Sequence, residues 1–496
     1  MASNDKQAID TGSKDVPRPP SRYDDILEDI IQYVYHGSIT SPHAYRRARL
    51  ALLDAFGCAI ETVALSPDCR SLLGPLIPQT VVPGGFRVPG TSHVVEPVKG
   101  AFDFGSLVRY LDHNDAYPGA EWGHPSDNLG AIIAVADWLS QTKELSLHTV
   151  LTAQIKAYEI QGVLQQRNAF NTHGLDHTLL VKIASTAVTA WLIGLPEHAA
   201  LAALSHAWID GHPLRTFRQA PNTGPRKGWA AGDACMRAVH LVLLTRASHV
   251  ASEGLGAFAG VPSALTAPQW GVHDALLGGK EVVRAREYGS WVIESVFFKI
   301  ITAEGHGISA VEAAVQVSSM LAARSLTAER DIRSIRIRTQ KPAMTIIDKT
   351  GPLWNAADRD HCLQYMVAVV LLKGSVIQTV DYMDSSPWAT DPRVDALREK
   401  MTVVEDAGFT RDYYDPKRRS GANAITVELM NGEVLDEAVV EFPVGHPRRE
   451  DTADQVLKKF RANMGLLFQA NEIEEIIQAA EDDHKSVHEF VHLFTR

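Results

Sequence analysis

The sequence predicts a mainly α-helical protein with a smaller α+β domain, and three observations carry that reading. Apolar residues recur at helical spacing from about residue 26 to 295. Strict alternation and a hairpin turn signal first occur after about residue 298. Helical spacing then returns from about Ala453.

Taken in order, the first 25 residues are rich in Asp, Lys and Pro and read as a disordered tail. Tyr45–Ala64, His177–Leu195, Pro196–Trp208 and Ala231–Ala247 are alanine-rich with apolar residues on helical faces. Small side chains let helices approach closely, which suits a compact bundle. Pro75–Gly90 is the main interruption. Ile332–Arg338 alternates with period two, as a half-buried strand does. Ala424–Met430 and Glu433–Phe442 flank Asn431-Gly432, a two-residue hairpin signal. Tyr365–Leu372 and Arg393–Met401 read as helices. No internal repeat is visible.

Composition narrows the function classes. The 496 residues are 45% apolar and 22% charged, ordinary for a globular chain with more than one domain. A formal net charge of −11 offers no basic surface to nucleic acid or anionic lipid. Four cysteines, Cys58, Cys69, Cys235 and Cys362, form no C-x-x-C pair and no cluster ligand set, so a reducing compartment is expected. No run of about 18 apolar residues occurs, so no membrane span is expected. Asp5, Asp10, Asp15, Asp24 and Asp25 argue against a mitochondrial transit peptide, and the cytoplasm is the expected location.

The most informative stretch is Leu111–Gly130, LDHNDAYPGAEWGHPSDNLG. Asp112 and Asp115 precede His124, which leads through Pro125, Ser126 and Asp127 into the helical pattern Ala131–Ser140. Ser126 or Asp127 is the expected cap, placing His124 just outside a helix N-terminus. Such an end favours anions and a neutral imidazole, which is what proton abstraction from a carboxylate substrate requires. A polar loop with a capping histidine is the plainer reading of the spacing alone.

A second stretch, Arg215–Ala234, crowds Arg215, Arg218, Arg226 and Lys227 around Asn222-Thr223-Gly224. In an acidic protein this local excess suits a polycarboxylate, although a basic surface loop has the same composition. Lys299 follows the apolar run Val296–Phe298, so burial is expected to lower its pKa. His306 lies in the turn Gly305-His306-Gly307. Both fall at the junction of the two expected domains, where clefts form. A hinge lysine and a surface turn explain them equally.

Three motifs read as decoys. His488–His492 matches H-E-x-x-H but ends four residues from the C-terminus, so a solvated helix face is expected. Gly254–Gly260 has the wrong spacing for a dinucleotide loop. Gly174 between His173 and His177 argues against a helical metal pair.

Several stretches together resemble the MmgE/PrpD family, and within it the 2-methylcitrate dehydratases. They include LLDAFGCAIE (52–61), LLGPLIPQTVVPGGFRVPGT (72–91), AEWGHPSDNLGAI (120–132), LDHTLLVKIASTAV (175–188), APNTGPRKGWAAGDA (220–234), PSALTAPQWG (262–271) and DRDHCLQYMVA (358–368). The resemblance implies a helical domain from residues 26–297, completed by residues 446–496, an α+β lid over residues 298–445, and a cleft between them. It also implies a homodimer, a tricarboxylate substrate, and chemistry without an iron–sulfur cluster or other cofactor.

Carried over position by position, the resemblance implies Asp112, His124, Lys227, Lys299 and Tyr365 as catalytic residues. Substrate contacts are expected from Asp115, Ala116, Tyr117, Ser126, His177, Arg215, Arg226 and His306. A base removes a proton alpha to a carboxylate, cations stabilise the developing charge, and a second group protonates the departing hydroxyl. In this scheme His124 is the acid/base, oriented by Asp112; Lys227 and Lys299 clamp carboxylates, and Tyr365 supplies the leaving-group proton.

Methylcitrate dehydratases typically carry Thr-Trp at Ala116-Tyr117, and SFPAEFHSQ where this chain has Ile301–Gly307. The smaller side chains predict extra space, favouring an alkyl group longer than methyl. Two alternatives remain: decarboxylation of an aconitate-type acid, and a catalytically silent homologue that binds a metabolite or partner.

Overall fold

The computed structural model describes residues 22–80, 82–218, 223–251, 255–415 and 417–496. Its larger part is built from helices α1 (Asp25–His36), α2 (Pro42–Leu65), α3 (Pro97–Arg109), α4 (Leu129–Ser140), α5 (Leu147–Gln165), α6 (Thr178–Ile193), α7 (Glu197–Ile209) and α8 (Arg226–Ala251). One hydrophobic cluster gathers their buried faces, from Leu27 to Phe298, together with Val456–Phe494 from the chain end. That end forms α11 (Thr452–Met464), α12 (Ala470–Ala480) and a last helix, Val487–His492.

A second cluster holds Ala116 and residues from Phe297 to Val444. Its frame is α9 (Ile308–Ala323) and α10 (Leu363–Lys373) against a four-stranded sheet. The strands are β1 (Ile332–Thr339), β2 (Met401–Glu405), β3 (Asn423–Leu429) and β4 (Ala438–Val440), in the order β2-β1-β3-β4. β1 pairs parallel with β2 and antiparallel with β3. The fold is thus mainly α with a smaller α+β part.

Glycines at one crossing determine where the site forms. A Cβ on Gly105 of α3 would lie 2.9 Å from the Cα of Gly232 of α8, and one on Gly130 of α4 would lie 2.7 Å from Gly105 Cα. Bare backbones therefore touch backbones, and three helices converge. Their ends carry Arg109, Lys227 and, just before α4, His124.

Local expectations meet two corrections. Arg393–Met401 does not stay helical: the helix covers Pro392–Arg398, and Met401 opens β2. Val403 and Val404 are β-branched and gain ladder partners in Ile337 and Arg338, which single-segment periodicity cannot show. Of Glu433–Phe442 only Ala438–Val440 is strand, although the turn is there: Gly432 has φ 84°, and Leu429 N donates to Glu433 O at 2.8 Å. The expected tail falls, up to residue 21, outside the described residues, as do Asn222 and Gly254. No helix among the described residues is long and apolar enough to cross a membrane.

Candidate active site

Asp112 organises the site. It follows α3 in a left-handed conformation, φ 55°, which short acidic side chains tolerate better than most. The turn directs its carboxylate back to Arg109, whose Nη1 donates to Oδ1. Lys299 Nζ donates to the same oxygen at 2.6 Å and to the Asp112 carbonyl at 3.1 Å. Lys227 Nζ stands 3.7 Å from Oδ2 and donates at 2.7 Å to each carboxylate oxygen of Asp360. His361 bonds to Asp360 through Nδ1 and turns Nε2 to within 4.0 Å of Asp112. Burial alone would raise the pKa of Asp112, but Arg109, Lys299 and Lys227 hold it well below the usual range.

Lys299 reaches this point because Ala116 and Phe297 exchange backbone hydrogen bonds of 2.8 and 2.9 Å. That bridge ties the segment before Lys299 to the loop after Asp112. Lys299 is 1% exposed.

His124 is held from both sides. Its Nδ1–H donates to the Asp115 carbonyl at 2.7 Å, while Nε2 lies 3.0 Å from Arg109 Nη2. A guanidinium only donates, so Nε2 is the acceptor and the ring is neutral. Burial first, then Arg109 and Lys299, push its pKa well below the ordinary histidine value. The sequence assigned the orienting role to Asp112; the structure gives it to the Asp115 carbonyl, since Asp112 comes no closer than 4.0 Å to Nε2.

The expected cap is also corrected. Pro125 opens a 3-10 turn, Pro125–Asn128, so α4 begins at Leu129 without a side-chain cap. Ser126 Oγ and Asp127 Oδ1 accept instead from Asn114 Nδ2, at 2.8 and 2.9 Å.

A cavity of about 490 Å³ opens beside these groups. Arg109, Asp112, His124 and His177 line it from the helical part, and Glu304, His306, Lys349, His361 and Tyr413 from the α+β part. Arg215 and Arg218 reach it beside Asp176, which Arg218 grips at 2.5 and 3.3 Å. Burial depresses His177 to about 3. On the far wall His306 donates through Nδ1 to Glu304 at 2.9 Å. Its Nε2 meets the Tyr413 hydroxyl at 3.1 Å, and Trp122 Nε1 donates to that hydroxyl. Burial would raise Glu304, yet His306 brings it down to about 2.

Several expected site residues lie elsewhere. Tyr365 is buried in the second cluster and donates to the Asp381 carbonyl at 2.8 Å, off the cavity wall. Arg226 turns outward, paired with Asp233 at 3.1 Å and stacked 4.1 Å over Trp229; its neighbour Lys227, about 100° on around the helix, faces in. The Asp115 carboxylate is consumed by Ser126 N at 3.0 Å and Tyr158 Oη at 2.7 Å, so Asp115 and Ser126 brace the loop. Ala116 packs in the second cluster, and Tyr117 lines a neighbouring cavity.

Sequence reasoning missed Arg109, Glu304, Asp360, His361 and Tyr413. Arg109 and Asp112 are three apart at a helix end, a detectable pair. Asp360-His361 lay in plain view within DRDHCLQYMVA. Tyr413 carries no local signal, because a separate helix, Ala407–Tyr414, brings it in from far along the chain. His488 instead donates through Nδ1 to Asp137 at 2.8 Å, and no group of three metal-binding side chains occurs among the described residues.

Chemically the site offers a neutral imidazole among cations that suit carboxylates, faced by a histidine–tyrosine pair. The MmgE/PrpD N-terminal domain matches residues 28–285, and the MmgE/PrpD C-terminal domain matches residues 302–483. The chain is 54% identical to a 2-methylcitrate dehydratase-like protein, oryR, of Aspergillus oryzae, over 95% of this chain and 96% of that one. It is 48% identical to the alkylcitrate dehydratase phiI of a fungal species, over 96% and 94%. It is 47% identical to 2-methylcitrate dehydratase of Escherichia coli, over 95% and 97%.

Proposed function

This chain belongs to the MmgE/PrpD family, and on that premise we propose how its site works as a hydro-lyase on 2-methylcitrate or a longer 2-alkylcitrate. The reaction removes water and leaves the 2-alkyl-aconitate. The observation that carries the assignment of roles is the neutral His124, with its Nε2 lone pair facing Arg109 at the cavity wall.

His124 Nε2 accepts the proton alpha to a substrate carboxylate. Nε2 is free to do so once Arg109 has turned from the imidazole to that carboxylate, where with Lys299 and Lys227 it stabilises the enediolate-like charge. Asp112, 4.0 Å away, stabilises the imidazolium that forms. The departing hydroxyl takes a proton from Tyr413, which is resupplied through His306 and leaves as part of water. Arg215, Arg218 and Lys349 bind the remaining carboxylates. The acid role thus moves from Tyr365 to Tyr413, because the Tyr365 hydroxyl is directed to a backbone carbonyl away from the cavity.

The same reading includes a helical domain joined by residues 446–496 and a lid over residues 298–445. It includes a homodimer, which rests on the family resemblance. A cytoplasmic location rests on the four free, buried cysteines.

The test offers 2-methylcitrate and 2-hexylcitrate to purified protein. Ultraviolet absorbance reads the conjugated double bond, and mass spectrometry reads the loss of water. His124→Ala is expected to lower turnover by about 10²–10⁴-fold. Undiminished turnover in that variant removes His124 from the chemistry.

A further inference from the structure

A second cavity, of 360 Å³, lies against the first. Trp122 and Tyr413 line both, so this hydrogen-bonded pair is the partition between them. The two chambers differ in character. The buried part of the second is walled by Tyr117, Phe297, Gly305, Pro443 and His446. Its exposed part carries Arg286, Arg418 and Arg448. Most of the charge therefore marks the mouth; half-buried Arg419 and buried Ser420 reach further in, beside a floor that is otherwise aromatic and apolar.

His446 keeps that floor uncharged. Its Nε2 bonds to the Arg419 carbonyl at 3.1 Å and its Nδ1 accepts from Arg448 N at 3.2 Å, which fixes one neutral tautomer. Burial lowers it to about 4. Tyr117 Oη accepts from Gln166 Nε2 at 2.6 Å, which ties the ring to the wall of the cavity it lines. Beside the floor stands one half-buried cation, Arg419, too few for a tricarboxylate, and a hydrocarbon chain finds apolar walls just across the Trp122–Tyr413 partition from the catalytic groups.

We propose that this chamber is the subsite for the alkyl substituent of the substrate, and that Trp122 and Tyr413 form its gate. The proposal deepens the dehydratase reading and rests on it for the identity of the head group. A methyl group fits on the catalytic side of the partition. A longer chain displaces the Trp122 ring and extends over Phe297 towards the cationic mouth, gaining apolar contact with each methylene.

Gly421 supplies a clean test. A Cβ there would meet only Pro443, at 3.8 and 3.9 Å, and the backbone angle is open to other residues, so Gly421→Leu narrows the chamber from the side of Pro443. Ser295→Phe fills it from another wall. Turnover of 2-methylcitrate and 2-hexylcitrate is compared in the wild type and both variants, with kcat/KM as the readout. In parallel, calorimetry measures binding of the unreactive tricarballylates bearing methyl or hexyl groups.

Both variants are expected to lose at least tenfold in kcat/KM for the hexyl substrate and in affinity for the hexyl analogue, with the methyl compounds little changed. Equal losses for both chain lengths, or none, overturn the subsite. If the hexyl preference in binding survives while neither citrate is dehydrated, the dehydratase reading falls and the subsite stands.

Discussion

Arg109 donates through Nη2 to Nε2 of His124 over 3.0 Å, and a guanidinium has no lone pair with which to accept in return. The imidazole must therefore be neutral at that nitrogen. The same arginine that fixes the charge also binds Asp112 through Nη1, so one side chain couples the base to the carboxylate at the centre of the site.

Arg109→Met separates these effects. Removing the cation relieves one cause of the depressed His124 pKa and leaves the largest, burial, and the smaller one from Lys299. The acid limb of kcat/KM is expected to move up in pH, towards the ordinary histidine value. The plateau should fall by about 10²–10³-fold for loss of an electrostatic donor. A pH–rate profile checks both, and an acid limb that stays in place removes Arg109 from control of the base.

Tyr365 and Tyr413 exchange expected importance. Tyr365→Phe loses one hydrogen bond, to the Asp381 carbonyl, and should cost about 0.5–1.5 kcal/mol of stability with turnover kept. Tyr413→Phe removes the hydroxyl shared by Trp122 and His306 and should lower kcat by about 10²–10⁴-fold. Steady-state rates beside urea unfolding of the two variants decide it; a dead Y365F with normal stability would restore the role read from the sequence.

The contrast shows what a sequence can carry. Helical spacing showed α2, α6 and α7 nearly to their ends, and the middle of α8, because each buries its own periodic face. Asp112, His124, Lys227 and Lys299 were legible through motif resemblance, and the structure brings all four together. β2 was hidden because its reason to be a strand is β1, some 65 residues earlier in the chain. Tyr413 was hidden for the same cause: its neighbours Trp122 and His306 are long-range. Arg226 and Lys227 look alike in sequence, yet adjacent cations on a helix face different ways and only Lys227 points in.

Acid stability should report on His177. Burial lowers it to about 3, against the partial support of Asp176 and with Arg218, Arg215 and Arg109 opposing its charge. In the unfolded chain it binds a proton near pH 6.5. Between those values the unfolded state holds the extra proton, so this group's contribution is full above about 6.5 and is lost as pH falls towards 3. The wild type should lose up to about 1.4 kcal/mol per pH unit across that window relative to His177→Gln. Parallel denaturant melts at several pH values test it, and identical slopes would show that His177 does not hold its low pKa in solution.

Lys459 links the chain end to the chemistry without entering the cavity. On α11, it donates to the carbonyl oxygens of His113 at 2.6 Å and Lys299 at 2.8 Å, and to Asp54 at 2.8 Å. One ammonium therefore pins the residue after Asp112 and the backbone of Lys299, setting the spacing of the Asp112–Lys299 pair. Burial opposes its charge, but Asp54 raises its pKa above the usual lysine value, so it stays an ammonium. Lys459→Met leaves Asp54 and two carbonyls without their donor, and breaking such a buried pair costs about 3–5 kcal/mol. A structural role alone would lower the amount of folded enzyme and leave each surviving molecule unchanged. A positioning role should lower kcat per folded molecule with KM nearly constant, because the reacting geometry loosens while Arg215 and Arg218 on the cavity wall stay in place. Active-site titration with kcat measured on the folded fraction separates the two, and an unchanged kcat there would reduce Lys459 to a brace for the fold.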